Sequence, residues 1–160
     1  MMCVMATLLI ALAVVATGVY AGFMLIFLTG IMPALGRLTD EQFVAAMRRI
    51  NEDVPRGVFV SVMLASVAFP TAALAVPGED GRSAAQWALL AAGLGFVILN
   101  HLITIAGNIP LNNALAASER TGTADREARA AFETRWNRLH LVRTLLVTAG
   151  FALVVSASLA

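Results

Sequence analysis

The chain has no lysine; all eleven of its basic residues are arginine. It has a single cysteine, Cys3, which excludes an internal disulfide and any cysteine-based metal cluster. Charge of either sign is scarce, at 13% of 160 residues, and a formal net charge of +1 implies no nucleic acid or other strong polyanion as partner. Charge is missing altogether from Met1 to Leu35, and again from Ser83 to Ser118. What takes its place is apolar: 59% of residues are hydrophobic and the mean hydropathy is +0.82. That composition excludes an ordinary soluble domain and implies an all-α polytopic membrane protein, expected as one domain over residues 1–160. The opening Met1-Met2-Cys3-Val4-Met5 holds soft ligands, but it reads as ordinary helix rather than as a copper site.

Four membrane helices are expected. The first run lacks the basic n-region and short core of a signal peptide, so it reads as a retained helix near Val4 to Phe27. Gly18 and Gly22 form a small-xxx-small pair suited to close helix contact. Thr17, Tyr20, Met24 and Phe27 share one face. Pro33 is expected to end or kink this helix. Thr39-Asp40-Glu41-Gln42 is a capping box opening a short amphipathic helix through Ile50, with Phe43, Met47 and Ile50 on one side. The second span is placed at Val58 to Val76, and a short turn, Pro77 to Ser83, makes it an antiparallel neighbour of the third, Ala84 to Ile109. After Pro110 come Asn112 and Asn113, then a loop of Ser118, Thr121, Gly122 and Thr123, then a second amphipathic helix from Ala124 with Ala128, Ala131, Phe132 and Trp136 on one side, running into helix four. The architecture is thus a four-helix membrane bundle with two short amphipathic cytoplasmic helices.

Polar residues inside these spans locate the interior, because polar groups facing hydrocarbon are costly. His101, Thr104 and Asn108 fall on one helical face, and Asn112 continues it if Pro110 does not swing it away. His101 lies 14 residues past Trp87, roughly 21 Å along the axis and well inside the slab. The 17 residues from Thr144 to Ala160 make only roughly 25 Å of helix against a core of about 30 Å. Helix four must therefore draw Arg143, and with it His140, to the membrane edge. There Arg143 either snorkels to lipid phosphate or points inward.

Nine arginines lie in the two long connections and only Arg82 in the short turn. The positive-inside rule then puts the long connections in the cytoplasm and both termini outside, in a bacterial plasma membrane. The two halves share a plan: membrane helix, proline (Pro33, Pro110), amphipathic helix, asparagine (Asn51, Asn137), membrane helix. This reads as a parallel repeat about the membrane normal.

Four segments together resemble the anthrone-oxygenase-like family of small four-helix membrane proteins. They are Tyr20-Ala21-Gly22-Phe23 with Met32-Pro33, then Ala46-Met47 with Ile50-Asn51, then Gly107-Asn108-Ile109-Pro110-Leu111-Asn112, and last Trp136 with Arg143-Thr144. The family pattern looks like Trp-x-x-x-Asn-x-x-Arg, and here His140 stands at the Asn position. The resemblance implies oxidation of an anthrone-type polyketide to a quinone by molecular oxygen without a bound cofactor. Such chemistry needs a base to remove an acidic ring CH₂ proton, and donors for the resulting oxyanion and peroxide. His140 is the candidate base, with His101 the alternative. Arg143, Asn108 and Asn112 are the candidate donors. Tyr20, Met24, Phe27, Thr104 and Trp136 are candidates for lining a slot for a flat aromatic.

Two other classes compete. One is a non-enzymatic membrane module that binds a lipid or hydrophobic metabolite, or serves as an accessory subunit, with room for a homo-oligomer. The other is a metal or haem site on His101 and His140, for which two histidines without nearby carboxylates are a poor ligand set. No metal and no cofactor is therefore expected.

Overall fold

A computed structural model describes residues 2–78 and 81–160, with side chains from Val4 onward. The sulfur-bearing side chains before Val4 and the Glu79-Asp80 pair of the short turn lie outside the described residues. Among those described, the chain is all helix, without a strand. In order they are α1 (Met2–Ile26), a π turn (Phe27–Ile31), α2 (Met32–Leu35), α3 (Asp40–Asp53), α4 (Gly57–Ala75), α5 (Ala84–Ile103), a second π turn (Thr104–Asn108), α6 (Ile109–Arg120) and α7 (Asp125–Leu159). Four rods are long and apolar enough to cross a membrane: Val4–Leu35, Gly57–Ala75, Ala84–Arg120 and Asp125–Leu159.

The prolines do not stop their helices: of the end or kink expected at Pro33 the end is not found, and helix also continues past Pro110. Each follows a π turn by two residues. Before Pro33 the ladder shifts to an i−5 bond, Met32 N–H to Phe27 O, and before Pro110 Ile109 N–H bonds Thr104 O in the same way. A widened turn relieves the clash of a proline ring with the preceding turn, so the rods continue to Leu35 and Arg120. The loop expected at Ser118 to Thr123 begins only at Thr121, because helix runs as far as Arg120.

Helix starts follow their side chains. Thr39 and Gln42 form the expected reciprocal cap of α3, each bond 3.3 Å. Ser83 and Gln86 do the same for α5 at 3.1 Å, a Ser-x-x-Gln signal that the reading above passed over. At the far end of α4, Arg82 Nη2 donates to the carbonyls of Ala73 and Val76, at 2.7 and 3.1 Å, where no helical N–H follows.

The amphipathic segment from Ala124 is no separate element. It is the first part of α7, one rod of 35 residues and roughly 52 Å. Its buried side holds Ala128, Phe132 and Trp136, whereas Ala131 is exposed. Further on, His140, Arg143, Thr144 and Val147 are all buried, which decides between the two orientations of Arg143 in favour of the interior.

The long helices form a ring in which α1 packs on α4 and α7, and α5 on α7 and α4. α3 lies against α7 and α6 and buries Phe43, Val44 and Met47 there. Arg129 of α7 pins the turn before α3, donating to Gly36 O, Leu38 O and Asp40 while also pairing with Glu133 at 2.7 Å. Arg48 ties α3 to α6 through Leu115 O and Ser118 Oγ. The tightest helix approach is between α5 and α7: a Cβ on Gly93 would sit 3.0 Å from Gly150 O, and one on Gly150 3.0 Å from Gly93 O. The Gly18/Gly22 pair is not used in this way. Gly18 faces the ring of Phe151, and Gly22 has nothing within 4 Å of its Cβ position.

Candidate functional site

Among the described residues Arg143 is the one buried arginine, and it has an unusual set of partners. It is 8% exposed. The ion pairs among the described residues are Arg49–Glu52, Arg56–Asp53, Arg129–Asp40 and Arg129–Glu133, so no carboxylate there neutralises it. Its Nε donates to His140 Nδ1 at 3.0 Å and its Nη1 to Thr104 Oγ1 at 3.1 Å. Its Cζ lies 5.3 Å from the Trp136 ring centroid, a cation–π contact. Of five guanidinium N–H donors, two have protein acceptors; Nη2 has none among the described residues.

These partners are themselves fixed. Thr104 Oγ1 gives its own proton to Asn100 O at 2.9 Å, leaving its lone pairs for Arg143. His140 must carry its proton on Nε2, because Nδ1 accepts from Arg143; Nε2 then donates to Met24 O at 3.1 Å. The imidazole also stacks on Trp136 at 4.8 Å and 21°. Asn100 joins three helices: its Nδ2 donates to Arg143 O at 2.7 Å, and its Oδ1 accepts from the Tyr20 hydroxyl at 3.1 Å. Asn100 is fully buried and central, yet the sequence reading did not select it, although Asn100 sits one turn before Thr104 on the same face.

A cavity of about 330 Å³ opens beside this cluster, within the range of small-molecule sites. Of the ten residues put forward from sequence, seven line it: Tyr20, Met24, Phe27, Thr104, Asn112, Trp136 and Arg143. His101, Asn108 and His140 do not. His101 turns to α4, its ring nitrogens 2.7 Å from Val97 O and 3.2 Å from Met63 O, which makes it a tie between helices. Asn108 is buried against α7, with Nδ2 3.4 Å from Trp136 O and Oδ1 unpartnered. His140 stands behind Arg143. The polar stripe divides by neighbour rather than at the π turn: His101 meets α4 and Asn108 meets α7, while Thr104 and Asn112 border the cavity.

The remaining walls come from the bend between α3 and α4 and from α6: Ile50, Asn51, Val54, Pro55, Phe59, Val60, Met63, Ile109 and Asn113. Ile50-Asn51 and Ile109 had carried a signal in the sequence, as parts of the quoted segments; Val54, Phe59, Val60 and Met63 are brought in by long-range packing. The cavity is mainly apolar and aromatic, with polar groups at two levels. Thr104 and Arg143 mark one level. Eight residues after Thr104, roughly 12 Å along the rod, Asn112 marks the other, where its Oδ1 accepts from Trp136 Nε1 at 2.9 Å. No Asp or Glu lines the cavity. Among the described residues, no three of His, Cys, Asp and Glu are grouped so as to hold a metal ion.

Such a space can take a flat apolar molecule with an oxygen at its inner end. There a free guanidinium edge, in low dielectric and without a counter-ion, would stabilise negative charge on that oxygen. Against known proteins, the family model described as anthrone oxygenase matches residues 43–153. No curated protein and no solved structure matches the chain.

Proposed function

The chain belongs to the anthrone oxygenase family, and from that premise we propose that its membrane cavity oxidises an anthrone-type aromatic with molecular oxygen, without a bound cofactor. The observation that carries this reading is Arg143, a buried cation with no carboxylate partner, presented to a cavity walled by Phe27, Phe59, Tyr20 and Trp136. In the proposed reaction the ring carbonyl oxygen of the substrate lies against Arg143 Nη2. The CH₂ opposite that carbonyl loses a proton to water in the cavity, and the electron pair delocalises onto the oxygen held by Arg143. The anion reduces oxygen and bonds to it at the former CH₂ carbon. The resulting hydroperoxide loses water to leave a second carbonyl. One oxygen atom enters the product and the other leaves as water, so no further reductant is needed.

His140 acts in this reading as a positioning residue rather than the base. Its Nδ1 is engaged by Arg143 and its Nε2 by Met24 O, so it holds the guanidinium in place. His101 is likewise assigned to holding α5 against α4. We further propose that the long connections are cytoplasmic and both termini lie outside, which places the α3–α4 side of the cavity toward the cytoplasm.

One observation favours a second reading. No free histidine or carboxylate lines the cavity, which suits a module that binds a hydrophobic anion or lipid without transforming it. Oxygen uptake by the detergent-purified protein with anthrone separates the two. The oxygenase reading expects one O₂ consumed per quinone formed, and loss of both in Arg143→Ala with helical content retained. Tight binding of anthrone with no oxygen uptake above the protein-free rate supports the binding module instead.

A further inference from the structure

The end of the cavity away from Arg143 carries donors with nothing to donate to. Asn51 Nδ2 is buried and has no acceptor in the protein, although its residue lines the cavity. Across from it, the amide of Asn112 is oriented by Trp136 Nε1–H, which donates to Oδ1 and leaves the Asn112 NH₂ without a protein acceptor. Of the neighbouring lining residues, Ile50, Val54 and Ile109 offer no acceptor side chain, and the amide of Asn113 does not bond Asn51. A buried N–H without a partner carries the full desolvation penalty of the group, which an oxygen on a bound ligand would remove. The unpartnered Asn51 donor, on a cavity that Asn112 also lines, therefore selects for an acceptor.

We propose that Asn51, supported by Asn112, reads an acceptor oxygen at the end of the ligand opposite the one held by Arg143, so the cavity prefers a flat aromatic oxygenated at both ends. This rests on the proposed function for the inner oxygen, but the outer contact is separate from the chemistry. It makes Asn51 a specificity-determining residue: it touches a part of the substrate that does not react. A site built to donate to an oxygen discriminates strongly against an analogue lacking it, because its own donor is then stranded.

The test measures binding, not turnover. Trp136 lines the cavity and Trp87 lies half-exposed on the first turns of α5, so quenching of Trp136 fluorescence in a Trp87→Phe background reports occupancy. Anthrone and 3,6-dihydroxyanthrone are titrated under anaerobic conditions. The proposal expects the dihydroxy ligand to bind about tenfold tighter, and expects Asn51→Leu to bring the two Kd values to within about twofold of each other. Asn51→Ala, which removes the donor without adding a bulky side chain, gives the same reading should Asn51→Leu fold poorly. Equal binding of the two ligands to the parent protein, or a preference that persists in both variants, overturns the assignment of Asn51 while leaving the proposed function in place. Failure of both ligands to bind the parent protein overturns the two together.

Discussion

Alanine in place of Gly150 should destabilise the protein, and alanine in place of Gly22 should stabilise it. The two positions lie in membrane-length helices and look equally replaceable in sequence. At Gly150 the new methyl would lie 3.0 Å from Gly93 O and 3.2 Å from Val97 Cγ2. The first of these is a backbone atom that cannot move without shifting α5. At Gly22 it would meet nothing within 4 Å. Alanine gains about 1 kcal/mol over glycine from helix propensity at either site. The difference between the two variants cancels that gain and isolates the clash, which overpacking data put at about 1–3 kcal/mol. Sodium dodecyl sulfate titration of the protein in mixed micelles, followed by far-ultraviolet circular dichroism, gives both values in one assay. Gly150→Ala at or above the stability of Gly22→Ala would refute the close α5–α7 approach, and equal destabilisation by both would restore the Gly18/Gly22 contact expected from sequence.

Two further outcomes follow from the polar cluster. Tyr20→Phe strands the Asn100 Oδ1 acceptor and should cost about 1–2 kcal/mol; with Asn100→Leu it should show a coupling of at least about 0.6 kcal/mol in a double-mutant cycle of unfolding, whereas strict additivity would mean the 3.1 Å bond contributes nothing. His140→Asn keeps one acceptor for Arg143 Nε and one donor for Met24 O and should retain ligand binding, whereas His140→Leu strands a charged donor and should weaken binding by about 10- to 100-fold; equal loss in both variants would mean that the imidazole does more than position the guanidinium.

Much of the fold is legible because its causes are local. The charge-free runs, the Thr39–Gln42 cap and the faces carrying Tyr20 with Met24 or His140 with Arg143 each depend on residues within a turn or two. The length of helix four brings Arg143 to the membrane edge, but its inward turn depends on Thr104 of the neighbouring rod, which no local count supplies. The misjudged features share a different origin. Proline read locally breaks a helix, but at Pro33 and Pro110 a π turn absorbs the disturbance, and no spacing rule announces it. The polar stripe that a 3.6-residue count joins is divided by its neighbours, α4 taking His101 and α7 taking Asn108. Phe59, Met63 and Val54 reach the cavity only because α3 packs on α7 and α4 on α1, which are long-range contacts. The role of His140 depended on which ring nitrogen meets Arg143, a matter of tertiary geometry alone.

The central claim is that Arg143 stabilises an oxyanion on a ligand in this cavity. It is tested most directly by recording, without oxygen, the absorption spectrum of anthrone bound to the detergent-purified protein as pH is raised. The account predicts that the coloured anion appears on the protein at a pH where free anthrone remains neutral, and that Arg143→Ala returns the transition to the position of the free compound. A bound ligand that ionises at the same pH as free anthrone, with or without Arg143, would contradict it.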